Sequence, residues 1–390
     1  MKIKTANRLQ AVGEYYFSRK LKEIATMRNR GIDVINLGIG SPDKSPAAET
    51  IETLVVESRK ADNHAYQSYA GIPELRRAFA DWYKKYFEVT LDTDREILPL
   101  MGSKEGIMHI SMAFINPGDK VLIPNPGYPA YAAVARLLGA VVQTYNLHSS
   151  AGWLPDFEEL ESRDLSDVKM MWINYPHMPT GTPASLKLFE QIVAFGLKHN
   201  ILIVNDNPYS FILNNEQLSI LQVQGAKEIA LELNSMSKSH NMAGWRVGML
   251  AGKADYVQAV LQAKSNMDSG MFRPLQLAAV KALGLGKSWY DKLNITYQKR
   301  RARAFRLLDQ LNCSYNKNQV GMFVWAQIPD TFNDGETLSE KVLHENSIFL
   351  TPGFIFGSAG KKYIRVSLCA TEERLQEATE RLKKLSMVEI

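Results

Sequence analysis

From about Glu96 to Gly252 the sequence alternates short β-rich runs with longer amphipathic stretches. Parallel neighbours in a sheet need a long crossover, usually a helix, so this rhythm predicts a mainly parallel sheet flanked by helices. The runs are Ile97–Met101, Lys120–Ile123, Val141–Tyr145, Val168–Asn174, Ile201–Asn205, Ile229–Leu233 and Val247–Ala251. Several end in polar or glycine-containing tips: Gly102-Ser103-Lys104, Asn125-Pro126-Gly127-Tyr128, Asn174-Tyr175-Pro176 and Asp206-Asn207-Pro208-Tyr209. Open α/β sheets bind ligands at the carboxyl ends of their strands, so these tips are expected to converge on one crevice.

The last third changes character. Charged helical segments run through Tyr290–Leu311 and Glu372–Leu385, with strand-like runs Gly321–Ile328 and Tyr363–Leu368 between them. In the final helix Thr371 suits an N-cap, and Leu375, Ala378, Leu382 and Leu385 form an apolar stripe. The expected fold class is therefore α/β: a large domain with a mainly parallel seven-stranded sheet between helices, plus a small α+β domain formed by both termini. The expected division is 1–35 as N-terminal arm and part of the small domain, 36–290 as large domain and 291–390 as small domain. A chain of 390 residues, 45% of them hydrophobic, can bury two such cores.

Other function classes lack their first requirement. The 46 basic and 41 acidic residues are interspersed, without the aromatic-studded basic patch that grips nucleic acid. Cys313 and Cys369 make no disulfide framework and no C-x-x-C pair, so both are expected as buried thiols. No signal-peptide core and no bilayer-length apolar run occurs, so a soluble, cytoplasmic protein without membrane partners is expected. Gly38-Ile39-Gly40-Ser41-Pro42-Asp43-Lys44-Ser45 approaches the nucleotide-binding fingerprints but fails them. Asp43 replaces the last glycine, and Pro42 removes a backbone donor. Neither H-E-x-x-H nor G-x-S-x-G is present, and no metal is expected.

Ser235-Met236-Ser237-Lys238, followed by Gly244-Trp245-Arg246-Val247-Gly248, lies between two predicted strands. A lysine can trap a carbonyl only if its pKa is lowered, which burial beside cations achieves. Arg246 offers both that cation and a fork of donors for a phosphate dianion, and Ser235 offers a hydroxyl. By itself a lysine in a serine-rich loop is far more often a solvated one. Asp206-Asn207-Pro208-Tyr209 supplies an acid that could keep a pyridine nitrogen protonated, and a phenol for the ring's hydroxyl oxygen; alone it reads as a turn. Gly102-Ser103-Lys104 opens a helix whose first amides could cradle a phosphate, or is simply a helix entry. Tyr128 could stack on a planar cofactor or pack within its loop.

Taken together, in this order and from about Ile35 to Leu368, these motifs resemble the class I/II aminotransferases, which adopt pyridoxal 5′-phosphate (PLP) fold type I. The resemblance implies that Lys238 forms a Schiff base with PLP. It also implies that Ser103, Lys104, Ser235 and Arg246 hold the phosphate, Tyr128 stacks on the ring, and Asp206 and Tyr209 hold the ring nitrogen and phenolic oxygen. Asn36-Leu37-Gly38-Ile39-Gly40 resembles the segment whose last glycine, Gly40, lies near the substrate carboxylate, and Arg365 in Tyr363-Ile364-Arg365-Val366-Ser367 resembles the arginine that binds it. Tyr66, five residues before Gly71, resembles the tyrosine that reaches the cofactor phosphate of a neighbouring subunit, implying a homodimer with shared sites. One departure stands out. Asn174-Tyr175-Pro176-His177-Met178-Pro179-Thr180-Gly181 resembles the family's Asn-x-Pro-x-Asn-Pro-Thr-Gly, but Met178 replaces the second Asn, which leaves Asn174 outside the expected ligand set.

The implied activity is transfer of an amino group from an L-amino acid to a 2-oxo acid by a ping-pong cycle. A C–S β-lyase on the same scaffold is the catalytic alternative, and a non-catalytic amino-acid sensor the alternative of another class. Tyr15, Tyr16 and Phe17 are expected to form an aromatic lid, with Tyr16 touching substrate, and the segment Asn266–Phe272 to border a partner's pocket. Arg136 and Arg273 are candidates for meeting an acidic side chain.

Overall fold

The computed structural model describes residues 3–13 and 16–386, with side chains through Leu382 in the last helix. Seven strands form one sheet: β2 (Ile97–Leu100), β3 (Lys120–Asn125), β4 (Val141–Asn146), β5 (Val168–Ile173), β6 (Leu202–Asp206), β7 (Ala230–Ser235) and β8 (Gly248–Gly252). All seven expected runs are realised, in the spatial order β2-β8-β7-β6-β5-β3-β4. Strand β8 runs antiparallel to both neighbours, and the other pairs are parallel.

Strands β6, β7 and β8 are buried at every position, because helices cover both faces of the sheet. The two-residue period assigns successive side chains to opposite layers. In β5, Met170 and Trp172 join the layer that holds the helix Ser103–Phe114, whereas Met171 and Ile173 join that of the helices Pro73–Phe87 and Leu186–His199.

The register decides where the polar tips go. Leu100 pairs with Gly248, and Gly248 with Ser235. The carboxyl ends of β2 and β7 thus flank the amino end of β8, and the residues just beyond them, including Ser103, Lys238 and Arg246, gather at one edge. Gly248 permits the close approach: a Cβ there would lie 2.7 Å from the Asn234 carbonyl oxygen and 2.9 Å from the Ser103 nitrogen.

The C-terminal third builds its own antiparallel sheet, β12 (Thr351–Pro352), β13 (Tyr363–Ser367), β10 (Phe323–Gln327) and β9 (Ser314–Tyr315), in that order. The N-terminal segment packs on this part of the chain. Strand β1 (Ile35–Asn36) pairs in parallel with β11 (Ile348–Phe349), and Phe17, Ile24 and Val34 share a core with Leu343 and Phe349. Asp33 is paired with Arg374 at 2.7 Å and Arg381 at 2.5 Å on the final helix, Glu372–Ser386; hydrogen bonds from the two guanidinium groups hold its carboxyl down at about 2. In that helix Thr371 accepts from the Arg374 amide, and Leu375, Ala378 and Leu382 are buried as the stripe predicts, while the Leu385 side chain lies outside the described residues.

The helix Lys287–Gln310 runs straight through the division expected at 290. Tyr290 joins the core of the large sheet, whereas Leu293, Tyr297, Ala304 and Leu307 join that of the small one. The core therefore changes hands within a continuous helix. Among the described residues, no helix is long and apolar enough to cross a membrane.

Candidate active site

A cavity of about 730 Å³ opens at the edge where the strand tips gather, and residues of the antiparallel sheet and of the N-terminal helix complete its wall. Of the residues singled out in the sequence, Gly40, Ser103, Lys104, Tyr128, Asp206, Tyr209, Ser235, Lys238, Arg246 and Arg365 line it.

Lys238 sits on a single helical turn, Met236–Ser239, directly after β7, and its Nζ donates to the Gly40 carbonyl at 2.6 Å. Burial draws its pKa down; Arg365 and Arg246 add to that effect, while Cys369 and Asp206 oppose it. A depressed ammonium pKa is what an amine nucleophile needs near neutral pH.

Beside it lies a built anion cradle. Gly102 caps the helix Ser103–Phe114 at φ 86°, and a Cβ there would lie 2.2 Å from Nη2 of Arg246. Arg246 itself has φ 57° and donates through Nη1 to the Ala243 carbonyl at 2.9 Å. The Ser235 hydroxyl accepts from the Ser237 amide at 3.2 Å and donates to the Ser237 hydroxyl at 3.0 Å. A helix start, a guanidinium and two hydroxyls at one spot form a site for a dianion.

Asp206, the last residue of β6, is 5% exposed. Its Oδ2 accepts from the Tyr131 hydroxyl at 2.9 Å, and its Oδ1 is buried with no hydrogen-bond partner among the described residues. Burial raises the carboxyl to about 6, against the lowering pull of Tyr131, Ser103 and Lys238. A buried carboxylate oxygen with no partner is costly unless a donor meets it. Tyr131 is fixed by stacking on Trp172, with centroids 4.8 Å apart and planes 7° apart, and Tyr128 meets Tyr131 edge-on. Tyr209 is buried and packs edge-on against Phe323.

Arg365 is 4% exposed in the middle of β13. Its Nη2 donates to the Gly38 carbonyl at 2.8 Å and its Nη1 to the Met178 sulfur at 3.2 Å. The guanidinium carbon lies 3.8 Å from the Phe323 ring centre and 4.7 Å from that of Phe356.

The chain as a whole is similar to known proteins. The sequence profile of the family described as aminotransferase class I and II matches residues 32–382. The chain belongs to this family. The LL-diaminopimelate aminotransferase of Oleidesulfovibrio alaskensis is 38% identical over 383 residues, covering 97% of this chain and 98% of the relative. That of Desulforudis audaxviator is 40% identical over 380 residues, covering 97% of each. Substrate-bound BacF from Bacillus subtilis superposes with a TM-score of 0.94 at 33% identity, over 99% of this chain and 98% of that one. An aminotransferase from Staphylococcus aureus does so at 0.89 and 30%, over 98% and 99%. The class I and II aminotransferases work with PLP, and this chain is a PLP-dependent enzyme of that kind with fold type I. Its residues fit that cofactor: the cradle matches a phosphate, the partnerless Asp206 oxygen a protonated ring nitrogen, and the buried Lys238 amine an aldehyde.

Four residues singled out in the sequence lie away from the cavity. Tyr16 turns its ring to Phe354, centroids 5.6 Å apart, and the next residue, Phe17, lines the cavity in its place. One step along a helix rotates a side chain by about 100°, and which of the three aromatics faced inward was not written in their composition. Tyr15 lies outside the described residues. Tyr66 stands at the surface, 91% exposed. Arg273 pairs with Glu74 at 3.1 Å, and neither it nor Arg136 lines the cavity. Conversely, sequence reasoning missed Tyr131, Phe323 and Phe356. Tyr131 follows Tyr128 by three positions, a weak helical signal, but its partner is 75 residues away. Asn174 does line the cavity, yet its amide is spent on the backbone: it donates to the Asp206 carbonyl and accepts from the Met178 nitrogen at 2.8 Å.

Proposed function

We propose that this aminotransferase takes LL-diaminopimelate as amino donor and a 2-oxo acid as acceptor, working as a homodimer in the cytoplasm. What carries the assignment of roles is the placement of the Lys238 amine in one cavity with Asp206, the Arg246 cradle and Arg365. Lys238 is the tether and proton carrier. Ser103, Lys104, Ser235 and Arg246 hold the phosphate, Tyr128 covers the ring face, and Asp206 and Tyr209 hold the ring nitrogen and phenolic oxygen. Bound PLP supplies an electron sink conjugated to the substrate's Cα. Arg365 pairs with the α-carboxylate and, with Gly40 beside it, turns the Cα–H bond toward Lys238. The Lys238 Nζ, whose pKa burial draws down, takes the proton from Cα and hands it on. Phe323 and Phe356 exclude water around the ion pair and so strengthen it. The exposed Tyr66 reaches the phosphate of a partner subunit.

The substrate is supported by the relatives that are 36–40% identical over nearly the whole chain. A second reading, a large apolar amino acid, is favoured by the lining of Phe17, Leu21, Ile39, Phe323 and Phe356. The test is to load the protein with PLP and follow its absorption between about 300 and 500 nm. LL-diaminopimelate and phenylalanine are then offered separately with 2-oxoglutarate, to wild type and to Lys238→Ala. The donor that shifts the wild-type spectrum and yields glutamate is the substrate; Lys238→Ala is expected to lose turnover by about a thousand-fold or more. Release of ammonia in place of glutamate would refute transamination as the main reaction.

A further inference from the structure

We propose that Met178 is a positioning residue for the substrate carboxylate, holding Arg365 in place through its sulfur; the proposal rests on Arg365 as the carboxylate site. Three hydrogen bonds run in series between the two sheets. The Asn174 amide donates to the Asp206 carbonyl at the end of β6, and the Met178 nitrogen donates to the Asn174 side-chain oxygen at 2.8 Å. Nη1 of Arg365 on β13 then donates to the Met178 sulfur at 3.2 Å. Met178 is itself rigidly mounted. The turn around it is closed by bonds from the His177 nitrogen to the Thr182 carbonyl and from the Gly181 nitrogen to the His177 carbonyl, both 2.8 Å. The His177 ring adds a 2.8 Å contact to the Thr180 hydroxyl.

The contacts that fix the guanidinium include the Gly38 carbonyl at Nη2, the sulfur at Nη1 and the Phe323 and Phe356 rings against it. The choice of sulfur matters chemically. A thioether is a weak, polarizable acceptor that carries no charge, so it orients the guanidinium without itself neutralising it. A carboxylate at the same place would compete with the substrate for the fork of donors. Met178 is 6% exposed on the wall shared by Asp206, Tyr209 and Arg365, so the group that steers the arginine also fills the apolar space beside it.

The test uses the PLP-loaded enzyme with Met178→Leu, which keeps volume and removes the acceptor, and Met178→Gln, which keeps an acceptor. Binding of glutarate, an unreactive dicarboxylate, is measured by calorimetry, and KM and kcat are measured for donor and 2-oxoglutarate. Loss of one hydrogen bond predicts that Met178→Leu weakens glutarate binding and raises both KM values about five-fold, with kcat changed less than about two-fold. Met178→Gln is expected to restore binding to within about two-fold of wild type. The proposal is overturned if Met178→Leu binds glutarate as wild type does, if it lowers kcat alone, or if Met178→Gln fails as badly as Met178→Leu. Arg365→Lys separates the underlying reading: glutarate binding unaffected by that change overturns the carboxylate assignment and this proposal together.

Discussion

Asp206 is an acid whose position costs stability until something meets it. Its carboxyl is raised from 3.8 to about 6, so the folded chain holds this proton more tightly than the unfolded chain does. Stability contributed through this group is greatest below pH 4, falls as pH rises to about 6 and is level above that. The accumulated cost is on the order of 3 kcal/mol in the cofactor-free protein. Asp206→Asn removes the titration while keeping an acceptor for Tyr131. Thermal melts of the cofactor-free proteins should therefore show the variant more stable than wild type at pH 7, with the gap closing toward pH 4. The same variant should lose activity when loaded, because a neutral amide cannot hold a ring nitrogen protonated. An unchanged gap across that range would show that Asp206 is not the titrating group. Asp206, Lys238 and Arg246 were visible in the sequence because each sits in a short motif at a strand end. Tyr131 was not, since its value lies in reaching a residue far along the chain.

Elements place these side chains more than the side chains place themselves. The lysine turn follows β7, the arginine precedes β8, and the helix Ser103–Phe114 follows β2; only an antiparallel β8 between two strands of the other direction brings all three to one edge. The seven apolar runs announced the strands, and the positions of their ends were read to within two residues. The reversal of β8 was not legible from periodicity, which has no direction. Gly102 is where this arrangement is tightest, combining a φ of 86° with a guanidinium in the space a side chain would need. Gly102→Ala is expected to weaken PLP binding by about ten-fold or more, since both the backbone and Arg246 must shift. Fluorescence titration of the cofactor-free protein checks this, and saturating PLP should recover much of kcat.

At the level of the whole molecule, the placement of Tyr66 bears on assembly. Tyr66 is 91% exposed and lies in a loop next to Gly270, whose Cβ would lie 2.6 Å from the Gln67 carbonyl. If Tyr66 serves a partner's phosphate, Tyr66→Ala and Lys238→Ala damage opposite halves of each shared site. Mixing the two variants after dissociation should give heterodimers with one intact site, restoring about a quarter of wild-type activity. If both variants are inactive alone, no recovery would place Tyr66 in its own subunit's site and not in its partner's. The sequence by itself determined the seven strands of the large sheet, the helical crossovers and the order of the reactive motifs, because periodicity and turn chemistry act over a few residues. Only the tertiary structure decided that Phe17 and not Tyr16 lines the cavity, that Asn174 is consumed by the backbone, and that Met178 touches Arg365. Each of those depends on how segments distant in sequence pack, and packing is set by the shape of the whole core.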